Sequence, residues 1–87
     1  MEVQAAAISL QGVGFVIVLV GMDLVGSTGE ADMAIDSLSP NFGGVPVILM
    51  AQREDGSPNY YGDQSIVSLL GDIPVDSMPW KEYTVTA

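Results

Sequence analysis

The feature that most constrains this 87-residue chain is a run of twenty consecutive uncharged residues, Val3 to Met22, broken near its middle by Gln11-Gly12. An apolar run of that length is long enough to cross a bilayer as a helix. Its flanks oppose that reading. Glu2 and Asp23 bound it with neither Lys nor Arg nearby, so a positive-inside pattern and the basic start of a signal peptide are both missing. Gln4, Ser9, Gln11, Gly12 and Gly14 also interrupt it. Gln11-Gly12 is placed to turn the chain, which divides the run into two buried strands.

The first strand, Val3 to Leu10, alternates Ala6, Ile8 and Leu10 against Ala7 and Ser9, although Val3, Ala6, Ala7 and Leu10 also fit a helical stripe. The second, Val13 to Val20, is rich in β-branched residues and reads as a central strand covered on both faces. Ser27 and Glu30 then have the spacing of a capping box, with Thr28 as the alternative cap. The helix that follows carries Ala31, Ala34, Ile35 and Leu38 as its apolar stripe, and Ser39-Pro40 is expected to end it. Val45 to Ala51 is another apolar strand, with Pro46 at its start or on an unpaired edge. Glu54 to Asn59 concentrates turn formers ahead of a short return strand at Tyr60-Tyr61. Asp63 caps a second helix with Ile66, Leu69 and Leu70 buried and Gly71 as its stop. The expected fold class is α+β: a small mixed or antiparallel four- to five-stranded sheet with two helices, in the order ββαββα, with or without a C-terminal strand at Trp80 to Thr86. Residues 1–87 make one domain, with 72–80 as a Pro-containing linker to that C-terminal tail or strand.

The segment Gly43-Gly44-Val45-Pro46-Val47-Ile48-Leu49-Met50, followed by Asp55-Gly56, Tyr61-Gly62 and a helix through Leu70, resembles the C-terminal half of thioredoxin-fold proteins. The resemblance covers Gly43 to Leu70, about a third of the chain. It implies that Phe15 to Val20 is the preceding core strand, that Ser27 to Leu38 is the preceding helix, and that Pro46 matches the family's cis-proline. The departure is chemical. Met22-Asp23-Leu24-Val25 lies where the family's Cys-x-x-Cys pair would be, and the chain has no cysteine.

Composition narrows function further. Without Cys or His, thiol redox chemistry, zinc sites with those ligands and Ser-His-Asp triads are excluded. Lys81 and Arg53 are the only cations against eleven carboxylates, for a net charge of −9, which opposes binding to nucleic acid or an anionic membrane. Asp32 and Asp36, four apart on one helical face, have oxygen ligands for a divalent cation, but a solvated helix face explains them as well. Asp55-x-Ser57-x-Asn59 imitates the start of a calcium loop. Tyr60 stands where that loop needs glycine and Ile66 where it needs glutamate, so a hairpin turn is the simpler account. Arg53, Tyr60, Tyr61, Trp80 and Tyr83 form a candidate interaction surface, since Tyr, Trp and Arg are favoured at binding hot spots. Tyr60 and Trp80 finishing a small core is the competing explanation. The expectation is therefore a small soluble, cytoplasmic, non-catalytic binding or self-associating module without cofactor, partnered by its own copy or another protein. The alternative is a small carboxylate-dependent hydrolase or a divalent-cation-binding protein.

Overall fold

The uncharged run folds as a hairpin. In the computed structural model, which describes residues 2–71 and 73–85, β1 spans Glu2–Leu10 and β2 spans Val13–Leu19. They are joined by Gln11 (φ 52°) and Gly12 (φ 81°), two consecutive residues with positive φ. That is the signature of a type I′ turn, whose twist matches that of the strands it connects. Val3 to Leu10 is thus a strand, and the competing Ala-rich helix does not form. Alanine's helix preference is worth only tenths of a kcal/mol per residue against most alternatives, and burying Ala5 and Ala6 on opposite faces of a sheet overrides it.

After β2 come α1 (Met22–Val25), a single helical turn with no counterpart in the sequence reading, and α2 (Thr28–Leu38). Ser27 occupies the N-cap position, but its side chain makes no capping bond; its carbonyl accepts from the Ala31 N–H at 2.9 Å. The expected capping box is therefore absent. Ser39 was expected to leave the helical region ahead of Pro40, yet it stays there (φ −52°, ψ −45°), and a 3₁₀ turn continues over Ser39–Phe42. Pro40 falls in the first turn of that segment, where a missing N–H costs little. Gly43, left-handed at φ 74°, makes the actual stop.

Strand β3 (Val47–Gln52) runs parallel to β2, and β4 (Pro58–Tyr61) returns antiparallel beside it. Pro46 lies just before β3. No cis peptide bond occurs among the described residues, so Pro46 is trans, and its carbonyl accepts from the Val16 N–H at 3.0 Å. The β3–β4 turn closes on Asp55, whose Oδ1 accepts from the Ser57 N–H (2.9 Å) and hydroxyl (2.6 Å). Asp63 caps α3 (Gln64–Val67) as expected, accepting from the Ser65 N–H at 2.8 Å. A 3₁₀ turn over Ser68–Leu70 extends α3, and another spans Val75–Ser77. Residue 72 of the expected linker lies outside the described residues. The rest of it is packed cover, with Met78 buried and Ile73 and Val75 against the core. Strand β5 (Trp80–Thr84) then pairs antiparallel with β1.

The result is an α+β fold on a five-stranded mixed sheet, ordered β4-β3-β2-β1-β5. Strand β2 is central, as its composition suggested, and Phe15, Val16, Ile17 and Val18 are all buried. Alternation divides the core in two. On the first face, Ala5, Val16, Val18, Val47 and Leu49 meet Ala31 and Leu38 of α2, with Val85. On the second, Ala6, Phe15, Ile17, Ile48 and Met50 meet Ile66, Leu70 and Met78.

Candidate functional site

The five residues of the expected interaction surface do not converge. Tyr60 and Tyr61 lie on β4 and Trp80 and Tyr83 on β5, the two opposite edges of the sheet. Within each pair the side chains also take opposite faces, because Tyr61 and Tyr83 pack on the first core and Tyr60 and Trp80 on the second. Most are already engaged. Arg53 donates from Nη1 to the Pro58 carbonyl at 3.1 Å, bracing the β3–β4 turn. Tyr61 donates its hydroxyl to Asp32 Oδ1 at 2.7 Å, tying β4 to α2. That bond to a carboxylate raises the Tyr61 pKa. The ring of Tyr83 meets Phe42 edge-on, centroids 5.3 Å apart, and Trp80 Nε1 donates to the Val75 carbonyl at 2.9 Å. The Tyr60 hydroxyl is buried without a partner among the described residues, and desolvation raises its pKa.

Of the carboxylates singled out from sequence as cation ligands, Asp32 and Asp55 have structural occupations, whereas the Asp36 side chain makes no hydrogen bond or ion pair among the described residues. Asp32 accepts from Tyr61, and Asp55 is turned onto Ser57, whose hydroxyl bond is the main cause of its lowered pKa. Among the described residues no three acidic side chains are grouped to hold a metal ion, and no helix is long and apolar enough to cross a membrane.

Two features that the sequence reading did not single out are better placed for recognition. The first is the free side of β1. Strand β5 pairs with Glu2 to Ala6 only, so among the described residues no strand lies outside Ala7 to Leu10. In a two-residue hairpin the residues flanking the turn, Leu10 and Val13, form a hydrogen-bonded pair, and every second pair repeats this. Ile8 and Ala6 therefore bond to β2, whereas Ala7 and Ser9 turn their N–H and C=O groups outward. The Val16 N–H, opposite Ala7, points away from β1 to Pro46, in agreement with this phase. Beside this edge, on the first face, an open groove of about 510 Å³ has Ala7, Ser9 and Gly14 on its floor and Phe42, Val45 and Tyr83 along its wall. The phase was readable once Gln11-Gly12 was known to turn; that β5 stops at Ala6 was not.

The second feature is a smaller cleft of about 310 Å³ on the second face, near the C-terminal ends of the parallel strands β2 and β3. Gln4, Leu19, Met50, Gln52, Asp76 and Trp80 line it. These residues come from five separate segments, and nothing in their spacing along the chain announces them. Another cavity on this face, about 520 Å³, is lined by Tyr60, Leu70 and Pro74 among others.

Comparison with known proteins finds no matching family model, no matching curated protein and no matching solved structure.

Proposed function

We propose that the protein is a non-catalytic binding module that associates with a second copy of itself through the free side of β1. The observation that carries this reading is the outward-facing backbone of Ala7 and Ser9 beside an apolar groove. Unpaired strand edges accept another strand through main-chain hydrogen bonds, and neighbouring pockets receive its alternate side chains. Charge favours a copy of the same chain at this end of the sheet. Two molecules of net charge −9 repel one another wherever acids face each other, but the whole hairpin from Val3 to Leu19 is uncharged. Val13, 38% exposed beside the turn, adds apolar area. A cytoplasmic setting suits a chain without cysteine.

Light scattering on a sizing column, at concentrations well above micromolar, tests this. The wild type is expected at twice the 9.1 kDa chain mass. Ser9→Pro removes an outward N–H while leaving the β1–β2 bonds in place, so it is expected to give a monomer with an unchanged circular dichroism spectrum. A strictly monomeric wild type, or a dimer indifferent to Ser9→Pro, overturns the proposal.

A further inference from the structure

We infer that the cleft between Trp80, Gln4, Gln52 and Asp76 binds a small organic cation, of the substituted ammonium or guanidinium class. It lies at the end of the sheet away from the β1–β2 turn and on the face opposite the apolar groove, so it is independent of the pairing proposed above.

The lining has the composition of a ligand site: an apolar floor and wall with a few convergent polar groups. Met50 is buried at the base, Leu19 is partly exposed, and Trp80 forms a side. The bond from Trp80 Nε1 to Val75 holds the indole in place, which lowers the ordering cost of binding. The side chains of Gln4, Gln52 and Asp76 make no hydrogen bond or ion pair among the described residues, which leaves two amides and a carboxylate free to meet a ligand.

Charge selects the ligand class. Glu82 lies directly opposite Gln4 in the β1–β5 pair, so its side chain is on the same face of the sheet as the cleft and adds negative charge to that face. Both cations of the chain are directed elsewhere. Lys81 opposes Ala5, whose side chain belongs to the first face, and Arg53 is bonded into the β3–β4 turn. An aromatic wall beside an unpaired carboxylate attracts a cation through the ring quadrupole and through Coulomb attraction together. A bare metal ion suits the site less well, because hard cations need six or more oxygen ligands and the apolar floor supplies none.

Trp80 is the only tryptophan, so its fluorescence reads the cleft directly. Titration with tetramethylammonium is expected to give a saturable change in emission, accompanied by shifts of the Gln4 and Gln52 side-chain amides in nuclear magnetic resonance spectra. Sodium chloride at matched ionic strength and neutral glucose are expected to give neither. Asp76→Asn is expected to weaken tetramethylammonium binding about fivefold, the effect of one partly exposed charge pair. The inference is overturned by an unsaturable response, by an equal response to sodium chloride, by saturation with glucose instead, or by full affinity in Asp76→Asn.

Discussion

The two faces of the sheet are covered by different means. On the first, α2 lays an eleven-residue helix across the strands and satisfies its own backbone while it buries Ala31 and Leu38. On the second, the cover is one turn of α3 and two 3₁₀ turns, elements too short to hold themselves together. Side chains supply what the short backbone cannot: Asp63 caps Ser65, the Ser68 hydroxyl donates to the Ser65 carbonyl, the Ser77 hydroxyl to the Pro74 carbonyl, and Trp80 to the Val75 carbonyl. A continuous helix seals the sheet beneath it, so the groove on the first face opens only beyond α2. The patchwork cover leaves clefts between its pieces, and the candidate cation site is one of them.

The sharpest way to break this comparison is on β3, where Ile48 and Leu49 are fully buried neighbours facing the second and first cores respectively. Ile48→Ala and Leu49→Ala are each expected to cost about 3 kcal/mol in denaturant unfolding, because both sides of this strand are close-packed whatever covers them. A loss in Ile48→Ala much below that in Leu49→Ala would show that the patchwork face packs loosely down to the sheet. The caps sharpen the contrast at smaller magnitude. Asp63→Ala removes an observed cap and is expected to cost about 1 kcal/mol. Ser27→Ala removes only a cap-like sequence pattern, since no capping bond is made, and is expected to change stability by less than about 0.5 kcal/mol.

The smallest effect concerns Tyr61, which ties β4 to the helix of the first face. Its hydroxyl bond to Asp32 raises the folded pKa above the ordinary value of 10.0. A raised folded pKa means that the contribution is fully present below the unfolded value and is lost as pH rises through the folded one. The wild type is therefore expected to melt slightly above Tyr61→Phe at neutral pH, and the gap to close in strongly alkaline solution. Melting curves of both proteins between roughly pH 8 and 12 check this. The Tyr60 titration is common to both proteins and cancels in their difference. A gap that stays constant with pH would show that the bond contributes nothing specific.

Much of this architecture was readable because the signals were local. Gln11-Gly12 between two apolar runs reported the hairpin, Ala31 to Leu38 reported the buried helix stripe, and Asp63 reported its cap. Other local signals misled. Ser27 and Glu30 have the spacing of a capping box without its bonds, and Ser39 keeps helical angles ahead of a proline, because a 3₁₀ turn continues the chain there. Among the expected surface residues, Trp80 and Tyr61 each make a side-chain hydrogen bond, but they lie on opposite edges of the sheet. Four aromatics distributed over two edges and two faces cannot make one patch.

By itself, then, the sequence determined the main strands and the long helix and excluded several kinds of chemistry. An uncharged run with a turn in its middle can hide its backbone as a hairpin, and a chain without cysteine or histidine has no thiol or imidazole to work with. Only the tertiary structure decided that β2 pairs parallel with β3, that β5 joins β1 and stops at Ala6, and that Gln4, Gln52, Asp76 and Trp80 share one cleft. Elements follow from contacts a few residues apart, which pattern and propensity report. Pairings between distant strands depend on which arrangement buries the most apolar surface at once, and that is a property of the whole chain.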